Sequence, residues 1–296
     1  MKKVIAAISA ALVLTACGNG EKEYDATGTF EATEVTVSAE QNGALLKLVV
    51  DEGDSIAQGQ EVGLIDTTQL VLKIQQMGAT KAVYQSQRPD LEKQIAAIRQ
   101  QLDKARQEQQ RYQELVNDGA APGKMLDDAT SQVKVLQKQL DAQTSALHTQ
   151  LATISSQQST IDVQVSLLRD QLDKCHITAP IKGTVLEKYV EQSEFVTAGK
   201  PLFKMADTQQ MYLRAYVTSA QLQRVKVGQA VKVFADYGNG QKKQYDGRVS
   251  WISSRSEFTP KTILTDNERA DLVYAVKVTV ENDGYIKIGM YGEVRF

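Results

Sequence analysis

The residues best suited to catalysis or metal binding are scarce in this chain of 296 residues, which has two histidines, His148 and His176, and two cysteines, Cys17 and Cys175. Cys175 and His176 are adjacent, but a structural zinc ion usually takes four ligands and the sequence offers no third partner. We interpret the pair as part of a helix-to-strand junction. No nucleophile elbow, phosphate-binding glycine loop or zinc-protease motif is present. The sequence therefore predicts neither an enzyme nor a bound metal or cofactor.

The N-terminus predicts export and lipid attachment. MKKVIAAISAALVLTAC begins with two lysines after the initiator and continues with an apolar stretch, too short for a spanning helix of about 20 residues. Its last four residues, ending at Cys17, are similar to a bacterial lipobox, so Cys17 is the predicted lipid-carrying mature N-terminus. The alternative is an ordinary signal peptide with an incidental cysteine. Lipidation predicts a periplasmic protein held at a membrane, with the inner membrane favoured.

Charge, length and cysteine content limit the function class, the number of domains and the means of stabilisation. A formal net charge of −2 argues against a nucleic-acid-binding protein, which would normally present a basic face. The length exceeds one typical domain of roughly 100–200 residues. After the lipobox only Cys175 remains, so no disulfide within the chain is possible and packing and assembly must stabilise the fold.

One short pattern occurs twice, about 140 residues apart. GALLKLVVDEGDSIAQGQEVGLID begins at Gly43, and GTVLEKYVEQSEFVTAGKPLFKMAD begins at Gly183. Each copy predicts short strands, because apolar residues alternate or form short runs between turn-forming residues. Two such halves can pair into one small β-sandwich, with the chain between them as a long insertion.

The insertion has helical periodicity. Apolar residues recur every seven positions in two series, which predicts two long helices in an antiparallel coiled coil. The first series is Leu70, Met77, Tyr84, Leu91, Ile98, Ala105 and Tyr112, with a second row at Ile74, Ile95, Leu102 and Val116; the other arm has Leu126, Val133, Leu140, Leu147, Ile154, Ile161 and Leu168. Turn-forming residues at 117–123 separate the arms. Pro89 should kink or break the first arm, since proline removes a hydrogen bond and clashes with the preceding turn.

A row of glutamines has the same spacing: Gln143, Gln150, Gln157, Gln164 and Gln171. It is either a solvated outer or flanking face or a surface that meets neighbouring copies, where uncharged amides can hydrogen-bond without desolvating a charge.

The last part of the chain predicts an antiparallel β unit. MYLRAYV, QAVKVFA, YDGRVSWIS, VYAVKVTV and GEVRF alternate as strands do. A short helix is predicted from Ser219 to Val225, and Trp251, Tyr274 and the valines are predicted to form the core.

The stretch DKCHITAPIKGTVLEKYVEQSEFVTAGKPLFKMAD resembles the second half of the lipoyl-like domain of HlyD-type membrane fusion proteins, or periplasmic adaptor subunits. The stretch at Gly43 resembles the first half, and the resemblance extends to the ending YIKIGMYGEVRF. It implies an α+β fold: a long antiparallel α-helical coiled-coil hairpin inserted into a split lipoyl-like β-sandwich, followed by a C-terminal antiparallel β-barrel. True lipoyl domains carry an acceptor lysine at a tight hairpin tip. The helical insertion occupies that connection here, so a carrier role is not expected.

The resemblance divides the chain into six segments. They are the lipoprotein signal peptide at 1–17, a linker and first barrel strand at 18–34, the first lipoyl-like half at 35–66, the helical hairpin at 67–174 with its tip near 117–124, the second lipoyl-like half at 175–206, and the β-barrel at 207–296.

The resemblance also implies partners and a docking site. Adaptors of this family link an inner-membrane transporter to a TolC-like outer-membrane channel and self-assemble, with six copies expected. The long hairpin, and a β-barrel that no further membrane-proximal domain follows, favour an ABC-type transporter, with a major-facilitator type as the alternative. At the tip, Arg111 and Leu115 match the first two positions of the family's channel-docking motif, while its serine position is Pro122. The alternative is that Arg111 is an ordinary arginine at a helix end and Leu115 is a leucine of the coiled-coil seam.

The leading functional prediction is therefore an adaptor for export of drugs or other substrates. The alternative is a cargo- or metal-binding periplasmic lipoprotein of an efflux system. Clustered methionines or histidines near the mature N-terminus would favour that alternative, and CGNGEKEYDATG has neither.

Overall fold

A computed structural model describes residues 24–257 and 272–296; Cys17 and the predicted signal peptide lie outside them. The strands are β1 (Ala26–Ser38), β2 (Gly43–Leu48), β3 (Ser55–Ile56), β4 (Glu61–Ile65), β5 (His176–Thr178), β6 (Gly183–Lys188), β7 (Phe195–Val196), β8 (Pro201–Thr218), β9 (Ala230–Gly238), β10 (Gln241–Ile252), β11 (Val273–Glu281) and β12 (Tyr291–Arg295). The helices are α1 (Thr68–Ser86), α2 (Leu91–Asn117), α3 (Gly123–Asp173) and α4 (Ser219–Leu222).

The chain forms two compact units, of which one is the helical segment Ile65–His176 and the other contains the strands on either side of it. This arrangement confirms the predicted α+β class, with a helical insertion between two β segments.

The two arms of the helical unit differ in continuity. The second arm is the single 51-residue helix α3, roughly 75 Å long at about 1.5 Å per residue. The first arm is broken between α1 and α2, which confirms the effect predicted for Pro89. Asp90 then starts α2, because its side chain accepts a hydrogen bond from the backbone N–H of Lys93 at 3.3 Å.

The seam between the arms contains predicted heptad residues and one residue outside the predicted series, Leu136. The buried residues of α2 are Ile95 and Leu102, and those of α3 are Leu136, Leu147, Ile154, Ile161 and Leu168. Polar contacts across the seam join Arg106 to Gln137 at 2.8 Å and Gln109 to Thr130 at 3.0 Å. The middle three glutamines of the α3 row are exposed and the outer two are half-buried. This exposure fits both alternatives, because a surface that meets neighbouring copies is also accessible in a single chain.

The duplicated pattern forms a reciprocal pair of half-modules. Strand β2 pairs with β7, and β3 pairs with β6. The backbone N–H of Leu45 donates to the carbonyl of Glu194 at 2.8 Å, and the equivalent bond runs from Val185 to Asp54 at 2.9 Å. Equivalent positions are buried together: Leu45 with Val185, Val50 with Val190, Ile56 with Val196, and Val62 with Leu202. Each half therefore completes the sheet and core of the other.

Strands β4 and β5 extend the β2–β7 pair into a four-stranded sheet in the order β5, β4, β2, β7. The other six strands close into a barrel in the order β1, β12, β9, β10, β11, β8, because β1 also pairs with β8. Its core includes Phe30, Met211, Leu213, Val217, Val233, Val249, Val276, Val278 and Val294, with Tyr274 packed against it. The valines of the barrel strands are thus core residues and Tyr274 packs against them, as predicted, whereas Val227, which precedes β9, is exposed. Both β1 and β8 are long enough to run through the barrel and on into the lipoyl-like part.

The prediction that Trp251 belongs to this core is wrong, since its side chain is 43% exposed. Val249, two residues earlier, is buried and pairs with Val278. The register shifts between Val249 and Trp251, which lies opposite Lys277. The extra residue in this bulge reverses the alternation, so Trp251 faces away from the core.

Candidate functional site

The tip of the helical hairpin is a tight turn at residues 118–122, between α2 and α3. The N–H of Gly119 donates to the carbonyl of Val116 at 3.1 Å, and the N–H of Ala120 donates to that of Leu115 at 2.8 Å. These two bonds are the Schellman pattern that ends helices. Gly119 has φ +71°, a left-handed conformation that glycine adopts without steric cost.

Arg111 and Leu115 lie four residues apart on α2 and therefore share one face in its final turns. Both side chains are exposed. The guanidinium carbon of Arg111 lies 5.3 Å from the centroid of the Tyr112 ring. Leu115 is 36% exposed, whereas the neighbouring Val116 is half-buried in the seam. Leu115 is therefore not a seam residue, and its apolar side chain is accessible at the tip.

Pro122 lies on the other side of the turn, as the N-cap residue immediately before α3. Its φ of −68° and ψ of 139° suit a helix N-cap, and its carbonyl accepts a hydrogen bond from the N–H of Met125 at 3.0 Å. A serine at this position would supply a hydroxyl to cap the helix. Pro122 supplies none, and no side chain caps α3.

Met125 is a tip residue that the heptad analysis missed. It is 46% exposed in the first turn of α3. The usable signal was its position beside the heptad residue Leu126, which makes Met125 an apolar residue outside the seam. Leu115 and Met125 together give the tip two accessible apolar side chains among charged and amide neighbours, including Glu114, Lys124 and Asp127.

Cys175 and His176 lie where α3 gives way to β5, as interpreted from the sequence. The Cys175 thiol is buried and donates to the carbonyl of Gln171 at 3.4 Å. Burial, and secondarily the charge of Asp66, raises the pKa of this thiol, which keeps it in the unreactive thiol form. In the described ranges, no three histidine, cysteine or acidic side chains are grouped so that they could hold a metal ion.

None of the helices in residues 24–257 and 272–296 combines the length and apolar character that a membrane span requires.

Comparison with known proteins identifies the architecture. Residues 33–208, more than half of the chain, match the family model described as RND MFP, barrel-sandwich hybrid domain. The chain belongs to the membrane fusion protein family. This confirms the family resemblance seen in the sequence, and the matched segment spans both lipoyl-like halves together with the helical insertion.

Similar proteins extend the match to the whole chain. A UPF0194 membrane protein of Yersinia enterocolitica is 28% identical, with 100% of this chain and 98% of the relative aligned. The structure of MacA from Actinobacillus actinomycetemcomitans has a TM-score of 0.57 at 23% identity, covering 91% of this chain and 76% of MacA. The membrane fusion protein Spr0693 of Streptococcus pneumoniae has a TM-score of 0.51 at 18% identity, covering 91% of this chain and 97% of that one. Both structures share the fold.

Membership assigns the chain to the periplasmic adaptors of efflux systems, which are transport components and not enzymes. At the tip, Leu115 and Met125 offer exposed apolar side chains for contact with another protein.

Proposed function

We propose that this membrane fusion protein joins an inner-membrane transporter to a TolC-like outer-membrane channel, and that Arg111 and Leu115 dock its hairpin tip onto the channel. The observation that carries the proposal is the exposure of Leu115 outside the seam, on the same helical face as Arg111 and beside the turn that leads into α3, a helix roughly 75 Å long. An exposed apolar side chain beside a cation suits insertion between helices of a partner.

The remaining parts of the assembly belong to the same proposal. Cys17 carries the lipid that holds the protein at the periplasmic side of the inner membrane. Several copies, six from the family pattern, surround a conduit through which drugs or other substrates leave. The length of α3, 51 residues, supports an ABC-type transporter as the partner, with a major-facilitator transporter as the alternative.

Departure from the family motif at Pro122 defines which contacts the tip can make. Proline has neither a backbone N–H nor a side-chain hydroxyl, so this position contributes no hydrogen-bond donor to the channel. Docking then depends on Arg111 and Leu115, with Met125 as a further apolar contact on the α3 side of the turn.

Site-specific photocrosslinking in intact cells tests the docking. A photoreactive amino acid at Leu115 is compared with the same residue at Val163, an aliphatic position of α3 that is 68% exposed and far from the tip. We expect capture of an outer-membrane channel from Leu115 and not from Val163. Capture of only other copies of the chain from Leu115, or of nothing at a normal expression level, would contradict the proposal.

The transporter is identified in the same cells by purifying the protein after chemical crosslinking at the inner membrane. We expect an ABC-type transporter in the purified complex. Recovery of a resistance-nodulation-division transporter would overturn the choice of transporter while leaving the tip-docking result intact.

A further inference from the structure

The N-terminal end of the described chain is fixed to the outer surface of the β-barrel. The Tyr24 ring lies edge-on to Phe234, with centroids 5.0 Å apart. The Lys242 ammonium lies 3.8 Å from the centroid of the Tyr24 ring, and the Arg295 guanidinium lies 5.7 Å from it. Phe234 stands between two buried residues of β9, so its side chain and the Tyr24 ring that covers it are on the solvent side of the barrel.

The next residue secures this position. The N–H of Asp25 donates to the carbonyl of Val294 at 3.0 Å, and its carboxylate accepts from the N–H of Phe296 at 2.9 Å. The side-chain amide of Gln221 also donates to the carbonyl of Asp25. The chain that precedes Tyr24 must therefore leave from one defined place on the barrel.

The same side of the barrel carries an unusual exposed tyrosine. Tyr291 is 77% exposed, the highest value among the large hydrophobic side chains of the described residues. It lines a shallow surface depression together with Phe234, Lys242 and Glu293. We call this surface the tyrosine face and define it by Tyr24, Phe234, Lys242, Tyr291 and Arg295.

The length of the preceding chain limits how far this face can lie from a lipid on Cys17. Seven residue steps separate Cys17 from Tyr24, and a fully extended chain covers at most about 25 Å in that number of steps. A protein barrel is about as wide as this distance, so the chain is too short to pass around the barrel to its opposite side. The side of the barrel from which the chain leaves is therefore the side that faces the lipid surface.

The composition of the face fits the headgroup layer of a bilayer. Tyrosine is enriched at membrane interfaces, where its ring contacts apolar groups and its hydroxyl stays hydrated. Lysine and arginine extend their charged ends towards the headgroups. Lys242 is paired with Glu293, and the neighbouring Lys232 is paired with Asp246. These ion pairs reduce the positive charge, so the attraction is due mainly to the aromatic rings.

We propose that the tyrosine face rests on the headgroup layer of the membrane that holds the lipid of Cys17, and so fixes the orientation of the barrel on that membrane. This inference rests on the lipid attachment included in the proposed function. It adds a second, non-covalent contact that a flexible tether alone would not provide.

Tryptophan quenching by brominated lipids tests the contact, because Trp251 is the only tryptophan of the chain. The purified lipidated protein is reconstituted in vesicles containing phospholipid brominated near the headgroup. The reporter is Tyr291→Trp combined with Trp251→Phe, and the matched control is the wild-type Trp251, an exposed aromatic residue of the same barrel near the end of β10. We expect about twofold quenching of the reporter and little quenching of the control. The same result is expected in zwitterionic vesicles and at high salt, since paired charges contribute little.

The outcomes separate this inference from the lipid attachment itself. Absence of reporter quenching in protein that floats with the vesicles overturns the inference, and so does equal quenching at both positions. If mass spectrometry finds an unmodified N-terminal cysteine and the protein does not float, the lipid attachment is wrong. In that case a histidine tag replaces residues 1–23 and binds the protein to vesicles that contain nickel-chelating lipid, so that the contact of the tyrosine face is tested without the lipid on Cys17. Selective quenching of the reporter supports the contact, and absence of quenching overturns it.

Discussion

The carbonyl of Leu115 accepts the hydrogen bond from Ala120 that closes the tip turn, at 2.8 Å, while the side chain of Leu115 remains accessible. The backbone of one residue thus helps to hold the tip in shape, and its side chain is available to a partner. A substitution that preserves the backbone bond will change the contact surface without unfolding the tip. This separation makes docking and stability independently measurable.

The first prediction concerns Leu115→Asp. A carboxylate placed in an apolar groove loses its hydration without gaining a partner, so we expect crosslinking to the channel, and export, to fall about tenfold or more, which corresponds to about 1.4 kcal/mol. Thermal unfolding should change little, since exposed substitutions usually alter stability by less than about 0.5 kcal/mol. The control Val163→Asp, at another exposed aliphatic position of the hairpin, should leave export unchanged. Equal loss of export in both variants would argue against a specific contact at the tip.

Arg111 is predicted to contribute through its guanidinium group as well as its charge. We expect Arg111→Glu to abolish channel crosslinking from the tip and Arg111→Lys to retain only part of it, because an ammonium cannot form the planar, paired hydrogen bonds of a guanidinium. Crosslinking yield in intact cells measures both effects. Full activity of Arg111→Glu would remove Arg111 from the docking surface.

The tip turn is predicted to depend on the backbone of Gly119. Gly119→Ala places a Cβ at φ +71° and should destabilise the helical unit by about 1 kcal/mol. The matched variant Gly78→Ala lies within α1, where a Cβ meets nothing within 4 Å, and should instead stabilise by about 0.5–1 kcal/mol. Denaturant unfolding of the two variants should therefore move in opposite directions. Parallel changes would show that Gly119 does not adopt the left-handed conformation.

The close approach of β6 to β8 predicts a severe effect of Gly183→Ala. A Cβ at this position would lie 2.3 Å from the carbonyl oxygen of Ala206, a backbone atom that cannot move without separating β6 from β8. We expect a loss of about 3 kcal/mol or more in unfolding free energy. Gly123→Ala, where a Cβ meets nothing within 4 Å, serves as the control and should change stability by less than about 0.5 kcal/mol. A stable Gly183→Ala protein with unchanged denaturant midpoint would contradict the close pairing of β6 with β8.

The start of α2 predicts a pH dependence. Hydrogen bonding from the backbone and side chain of Lys93 lowers the pKa of Asp90. A carboxylate whose pKa is lower in the folded state stabilises the fold above its unfolded pKa of about 3.9, and that contribution is lost as the pH falls through the lower folded value. Asp90→Ala should therefore lower the melting temperature at neutral pH, and the difference from wild type should shrink as the pH falls below about 4. A difference that is independent of pH would exclude the carboxylate as its source.

Much of this architecture was predictable because it depends on local patterns. The break near Pro89 follows from the covalent geometry of proline, and the buried seam of α3 follows from the heptad spacing of Leu147, Ile154 and Ile161. The strand pattern of the two half-modules follows from their repeated sequence. These features require information from only a few neighbouring residues.

The sequence predictions failed where the orientation or exposure of a side chain depends on the pairing with another strand or on the end of a helix. Alternation places Trp251 on the same side of β10 as Val249, and only the register of the pairing with β11 reveals the extra residue between them. Met125 was missed because the heptad assigned the seam to Leu126 and gave no information about surfaces outside it. The ring contacts of Tyr24 join residues more than 200 positions apart along the chain, and no short-range pattern predicts them.

The reciprocal pairing of the half-modules also determines the order in which the chain can fold. When β2 and β3 leave the ribosome, their partners β7 and β6 have not been synthesised, because the whole helical insertion comes first. The insertion needs only contacts between its own arms, and such helical hairpins form quickly. Once formed, it brings Ile65 within a 2.9 Å hydrogen bond of Cys175, so the entropy of closing the loop is already lost when the second half arrives. We therefore expect the helical arms to form before the β-sandwich that they interrupt.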